Sequence, residues 1–471
     1  MEDGRRRART AGGGSRNGLA VPWRAPVALL LLVAVGAWPS CASDQPETWD
    51  FGTETRVLVV LPSGNAASDR IAERYVGFRH VAATHVVRLR CPDSEEITRD
   101  EFDDTVARPL IDWWARCDEE DRPSCLLLIR GLPHKIRGGG GRNGDRASVD
   151  SELTRLPGLA RLGTPVAPHE TEVQPTLAGP AHNPYFRVRG ADGRYLPFDP
   201  ARYGICLVTR LDGFTDGDAS ALVERAASAE SEGRAEVRAT TESTVGTGTS
   251  GAPGRARSGT DMSEAAGRVK TGTDTSDVPG RARSGTGLEG VFVIDLKAAS
   301  GNAGEIWLRA AADAIREHGG SVALDESPGF VTAATDIAGY ASWGSNDPDY
   351  RRPTDLHWRP GALACTFVSS SARTFREPPA DWTPGPSASP AHRFEGSTQS
   401  LIGDLVRSGA TGVSGNAYEP YLDGCVRPDV LFAAALEGRT LAEAFYLALP
   451  SISWQSVILG DPLCVCRGAS R

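Results

Sequence analysis

The sequence predicts an α/β protein with two adjacent doubly wound, mainly parallel sheets, one on either side of a low-complexity insertion. Two observations predict it. From Arg56 onward, short apolar runs alternate with segments whose apolar residues recur at helical spacing, the pattern of strands connected by crossover helices. Over 231–287 that alternation stops, because large apolar side chains almost vanish, and after it the alternation resumes.

In the first region, 55–230, Arg56 to Leu61 reads as a buried strand, followed by a helix with Ser68 as N-cap and Ile71, Tyr75 and Phe78 on its apolar side. Val86 to Leu89 is the next strand. A helix carrying Val106, Leu110 and Trp114 leads to the strand Cys125–Ile129, which Gly131-Leu132-Pro133 ends. The stretch 135–203 reads as one long Gly- and Pro-rich loop, and loops of that length are functional or disordered. A strand from Gly204 to Arg210 and a helix with Leu222, Ala226 and Ala229 complete the region.

The insertion repeats itself, since the run from Pro253 to Thr260 recurs from Pro279 to Thr286. Stacked repeats need apolar positions, and these units lack them, so the segment is expected to be disordered. The second region, 288–466, opens with the strand Val291–Asp295. A helix with Trp307, Ala311 and Ala314 follows, closed by Gly319-Gly320, and then the strand Val322–Asp325. Two strand ends come next, Tyr340 to Gly344 and Ala364 to Ser371. Helices with Leu401, Leu405 and Val406 and with Leu441, Ala444, Phe445 and Ala448 flank a strand near Ala410–Val413. A last strand is stopped by Gly460-Asp461-Pro462.

The N-terminal segment, 1–42, reads as an export signal. Arg5-Arg6-Arg7 and Arg24 precede an apolar run from Ala25 to Trp38, too short to cross a bilayer but right for a secretory core. Ser40 and Ala42 suit a cleavage site, whereas Ser40-Cys41 resembles a lipoprotein box with Trp38 where Leu is usual. The expected location is therefore the periplasm, cell envelope or medium, with a lipid on Cys41 as the membrane attachment. Export makes disulfides feasible for the remaining cysteines, although Cys206 and Cys365 lie in apolar strands that favour buried thiols.

A net charge of −9 argues against nucleic acid as a partner. No His, Asp or Glu group has metal-ligand spacing, and Gly139-Gly140-Gly141-Arg142-Asn143-Gly144 lacks the strand–turn–helix context of a dinucleotide site. No metal and no cofactor are expected.

Ligands of open α/β sheets bind beyond the carboxyl ends of the strands. In the second region those ends offer Ser369 and Ser370 as candidate nucleophiles, with His357 or Glu419 as partner, although serine also caps strand-to-helix junctions. Trp343, Asn346 and Asp347 are ligand-binding candidates beside them. In the first region Asp150, Glu152, Asn183, Arg210 and Asp212 sit near strand ends and suit a sugar, peptide or carboxylate ligand. Solvated loops and Asx turns account for the same residues.

Several motifs occur in one order from about Thr55 to Leu463. They are Asn65-x-x-Ser68 with Tyr75 and Arg79, Ser148 to Glu152, Asn183-Pro184-Tyr185, Gly409-Ala410-Thr411, Glu419-Pro420-Tyr421, Ser453-Trp454-Gln455 and Gly460-Asp461-Pro462. Together they resemble an uncharacterised family of exported bacterial proteins from genomes that encode exosortase, a membrane protein-sorting enzyme. Val208-Thr209-Arg210-Leu211, the Tyr340-x-x-x-Gly344 strand end and the closing Gly460-Asp461-Pro462 are, more distantly, similar to the gingipain-type, caspase-like peptidase fold. That resemblance implies a His and a Cys at adjacent strand ends, where this chain has Trp343 and Ser369 or Ser370. Indole cannot act as a base, and an unassisted hydroxyl is a poor nucleophile. The expected function is therefore that of a non-catalytic exported binding or envelope-associated protein, and the alternative is a serine-dependent hydrolase of an envelope peptide or glycan.

Overall fold

In the computed structural model the described residues are 56–142, 144–161, 180–245, 290–297, 301–352, 354–385 and 390–466, so the segment expected to be an export signal, Cys41 and most of the segment read as an insertion lie outside them. The main sheet has ten strands: β1 Val57–Pro62, β2 Val86–Leu89, β3 Cys125–Ile129, β4 Leu207–Leu211, β5 Val291–Asp295, β6 Ser321–Asp325, β7 Ala333–Ser342, β8 Asp355–Thr366, β9 Gly412–Asn416 and β10 Ser456–Leu459. Their spatial order is β6-β5-β7-β8-β9-β10-β4-β3-β1-β2.

The strands β1, β3 and β4 are buried along their whole length, as expected for parallel strands with helices on both faces. Alternate residues serve different cores. Val57, Val59 and Leu61 join a core that continues through Val293, Val413 and Leu459, whereas Leu58 and Val60 pack with Leu110, Trp114 and Leu153. The principal helices are α1 Ala66–Arg79, α2 Arg108–Arg116, α3 Val149–Leu153, α4 Asp216–Val245, α5 Ala303–Glu317, α6 Ile402–Ser408, α7 Pro428–Leu436 and α8 Leu441–Ala448.

The expectation of two sheets needs correction: one continuous sheet runs through both regions. β9 pairs antiparallel with β10, from Val413 opposite Leu459 to Asn416 opposite Ser456, and β10 meets β4 in parallel at Leu459 and Arg210. Each half keeps the same doubly wound order, β2-β1-β3-β4 and β6-β5-β7-β8-β9. Because the antiparallel step lies between them, the two halves run in opposite directions and their carboxyl ends open at opposite edges of the sheet. Apolar periodicity identifies strands but not how two sets of strands join.

Three smaller corrections follow. Asn65, not Ser68, caps α1: its Oδ1 accepts from the amides of Ala67 and Ser68 at 3.1 Å each, while Ser68 Oγ donates to the Arg130 carbonyl at 2.5 Å. Helix α4 runs on to Val245, into the segment read as insertion. The loop 135–203 contains ladders at Lys135–Ile136, Ala147–Ser148 and Ala181–His182 and short helices including α3, elements too short to leave a periodic signature.

That connection positions the site. Glu96–Ile97 pairs with Lys135–Ile136, which pairs with Ala147–Ser148. Glu95 then reaches the second half, accepting from Thr374 Oγ1 at 2.8 Å and from the Phe375 amide at 2.7 Å. Loops that leave the first half thus fold back over the carboxyl edge of the second.

Candidate functional site

The carboxyl ends of β5, β7, β8 and β9 bring together Asp295, Trp343, Asn346, Asp347, Ser369 and Ser370. Trp343 follows β7 and its indole Nε1 donates to Glu305 Oε1 at 3.0 Å. Its ring lies edge-on to Phe367, 5.1 Å between centroids, and against the first turn of α5. There a side chain at Gly304 would meet the indole at 2.5 Å, so close approach demands glycine. Lys297 Nζ, 5.8 Å from the Trp343 ring, donates to the Asn346 carbonyl at 2.8 Å.

Ser370 and Asn346 are joined through Gln399. Ser370 Oγ donates to Gln399 Oε1 at 2.7 Å, and Gln399 Nε2 donates to Asn346 Oδ1 at 3.2 Å. Asn346 Nδ2 in turn donates to the Phe367 carbonyl at 2.5 Å. The acceptor of the Ser370 proton is thus an amide oxygen, which is far too weak a base to activate a hydroxyl. Ser369 is half-buried beside it.

The partners expected for these serines make their hydrogen bonds and ion pairs elsewhere. His357 lies near the start of β8, with Nε2 2.9 Å from Asp355 Oδ1. The strand from His357 to Thr366 separates it from Ser369 by roughly 30 Å at about 3.3 Å per residue. Glu419 is exposed and its Oε1 accepts from the Tyr421 amide at 2.9 Å, stiffening its own turn. Cys365 lies within β8 between Ala341 and Ser414, and burial pushes its thiol far above the ordinary range, which leaves it protonated.

Two buried acids at this edge, Asp295 and Glu305, carry oxygens without a hydrogen-bond partner among the described residues. Asp295 Oδ2 accepts from the Val331 amide at 3.0 Å, while Oδ1 and Glu305 Oε2 are buried without a hydrogen-bond partner among the described residues. Burial pushes the Asp295 carboxyl up to about 7, against the pull of the Val331 amide, and Asp325, Asp347 and Glu305 add to the rise. Asp347 is buried as well and accepts from the Asp349 amide at 2.8 Å.

The first-half candidates form a different group. Arg210 is fully buried: Nε and Nη2 donate to Asp150 at 3.1 and 2.6 Å, and Nη1 and Nη2 donate to the carbonyls of Leu132 and Pro133. Asp212 accepts from Arg130 Nη1 at 2.7 Å and from the Gly213 amide. Asn183 Nδ2 donates to the carbonyls of Tyr446 and Leu449 at 2.8 Å each. These side chains spend their hydrogen bonds inside the fold. Glu152 is also buried, and burial pushes its carboxyl up to about 7 against the opposing pull of Arg99, whose Nη1 lies 3.2 Å away without hydrogen-bond alignment.

Many motif residues converge on the seam between the halves. Tyr75 Oη and Arg79 Nε donate to Asp461 at 3.0 and 2.8 Å. The Ser148 amide donates to the Trp454 carbonyl at 2.8 Å, the Trp454 amide to Ser151 Oγ at 2.9 Å, and the Trp454 indole to the Pro420 carbonyl at 3.1 Å.

Sequence reasoning missed Gln399, Glu305, Lys297 and Asp295 as neighbours of Trp343 and Ser370. An acid ending an apolar strand marked Asp295, whereas nothing local marked Gln399. His134 is a further residue at this edge that no local pattern marks. His134 is buried 4.9 Å from the Phe375 ring, and burial, then Arg210 and Lys135, hold its imidazole well below the ordinary range and neutral.

Among the described residues no group of three or more His, Cys, Asp or Glu side chains is arranged to hold a metal ion, and no helix is long and apolar enough to cross a membrane. Comparison with protein-family models, curated proteins and solved structures finds no match.

Proposed function

We propose that this chain is a non-catalytic, exported binding or envelope-associated protein, related in fold to gingipain-like, caspase-like peptidases but without their Cys/His pair. Its ligand, an envelope peptide or glycan, docks at the carboxyl edge of β5, β7 and β8 against the part-exposed Trp343 and Asn346, with Asp347 buried behind them. The observation that carries this reading is the Ser370–Gln399–Asn346 chain. The serine proton is held by an amide, and the indole of Trp343, at the neighbouring strand end, gives its proton to Glu305. Neither arrangement supplies a base or a nucleophile.

The test is treatment of the purified protein with a fluorophosphonate probe. No covalent adduct is expected. An adduct on Ser369 or Ser370 that disappears on Ser→Ala substitution would replace this reading with the serine-hydrolase one. Binding is checked by titrating cell-wall peptides and glycans while following tryptophan fluorescence, where Trp343→Ala is expected to weaken binding about tenfold or more.

A further inference from the structure

Ser371 leads the chain away from the β8 edge, and its carbonyl accepts from the Ile402 amide at 2.9 Å, where α6 begins. The residue is 1% exposed, yet its Oγ has no hydrogen-bond partner among the described residues. An orphaned buried hydroxyl costs about 1–3 kcal/mol and requires an explanation. This one lines a cavity of about 20 Å³ beside Tyr340, Ser342, Thr366, Ser400 and Asp404.

Size and chemistry restrict the occupant. A water molecule needs roughly 10–15 Å³ of such space and two to four polar partners. Ser371, Ser342, Thr366 and Ser400 supply hydroxyls that both donate and accept. Ser342 Oγ already accepts from the Gly344 amide at 3.0 Å and bonds the Tyr340 hydroxyl, so Ser371 Oγ is the lining hydroxyl without a partner among the described residues. Asp404 accepts from Arg352 Nε through both carboxylate oxygens at 3.1 Å, so its charge is matched and does not recruit an ion.

The geometry points to a buried hydration site: an ordered water held by Ser371 Oγ and neighbouring hydroxyls, joining β7, β8 and the start of α6. It gives Ser371 a role that is neither nucleophile nor helix cap. The site is neutral and takes a molecule able to donate and accept at once.

A high-resolution crystal structure of the unmodified protein, grown without ammonium salts, tests it. Density is expected within hydrogen-bond distance of Ser371 Oγ and of at least one other lining hydroxyl. Ser371→Val, whose methyls occupy the space, is expected to abolish that density. An empty cavity, a Ser371 hydroxyl donating to a protein acceptor, or density that appears only when ammonium is added would overturn the inference. Because the first measurement uses the native chain, a variant that fails to fold leaves it decisive.

Discussion

At the scale of single residues, the buried charges near the strand ends are of two kinds, and they predict opposite behaviour. Arg210 is surrounded by acceptors, so Arg210→Met would leave Asp150 buried beside carbonyls with no counter-charge. Breaking a buried pair from one side costs about 3–5 kcal/mol, and urea unfolding should show a loss of that order. Asp295 is the converse case, an acid without a matching cation, its carboxyl pushed up to about 7. A carboxyl raised in the folded state contributes stability that is present below the ordinary carboxylate pKa near 4 and lost as pH rises through about 7. Asp295→Asn should therefore raise the melting temperature at about pH 8, by an equivalent on the order of 3 kcal/mol, and leave it nearly unchanged at about pH 4. A gain that was the same at both pH values would show that proton binding at Asp295 is not the cause.

At the scale of elements, the connections contribute as much as the strands. The last turn of the chain is tied to α1 by Asp461, which takes hydrogen bonds from Tyr75 and Arg79 and is itself fully buried. Asp461→Ala should lower stability by about 1–3 kcal/mol, because Tyr75 Oη and Arg79 Nε lose their buried acceptor while Arg79 keeps Glu230, and hydrogen exchange should show faster opening of α1 and of residues 460–464 together. Opening of one without the other would show that the tie does not couple them. Helix α4, whose described burial covers 216–232, buries Ala219, Leu222, Val223, Ala226 and Ala229 there. Replacing 246–289 with a Gly-Ser linker of equal length should leave the melting temperature nearly unchanged, and a large fall would make that segment structural.

At the scale of the whole molecule, the strands and the crossover helices of an α/β protein were legible from apolar periodicity, because a helix or strand must present its own repeating face to a core. The edge of the second half was legible as well: Trp343, Asn346, Ser369 and Ser370 lie close in sequence to strand ends, and strand ends of a parallel sheet share an edge. Gln399 was not, since it reaches Ser370 and Asn346 from a segment with no periodic pattern. Nor was the burial of His134, which depends on a loop from one half folding against Phe375 of the other. The same limit applies to Asp150, Asn183 and Arg210, whose polar character suggested ligand contacts but whose partners lie in distant segments. Sequence by itself determined most of the strands and longer helices, and that Trp343, Ser369 and Ser370 follow two strand ends, all of them local properties of spacing and side-chain chemistry. Only the tertiary structure decided that the halves join through one antiparallel pair into a single sheet, that their carboxyl edges face opposite ways, and which polar groups serve the interior, because each depends on contacts between residues far apart in the chain.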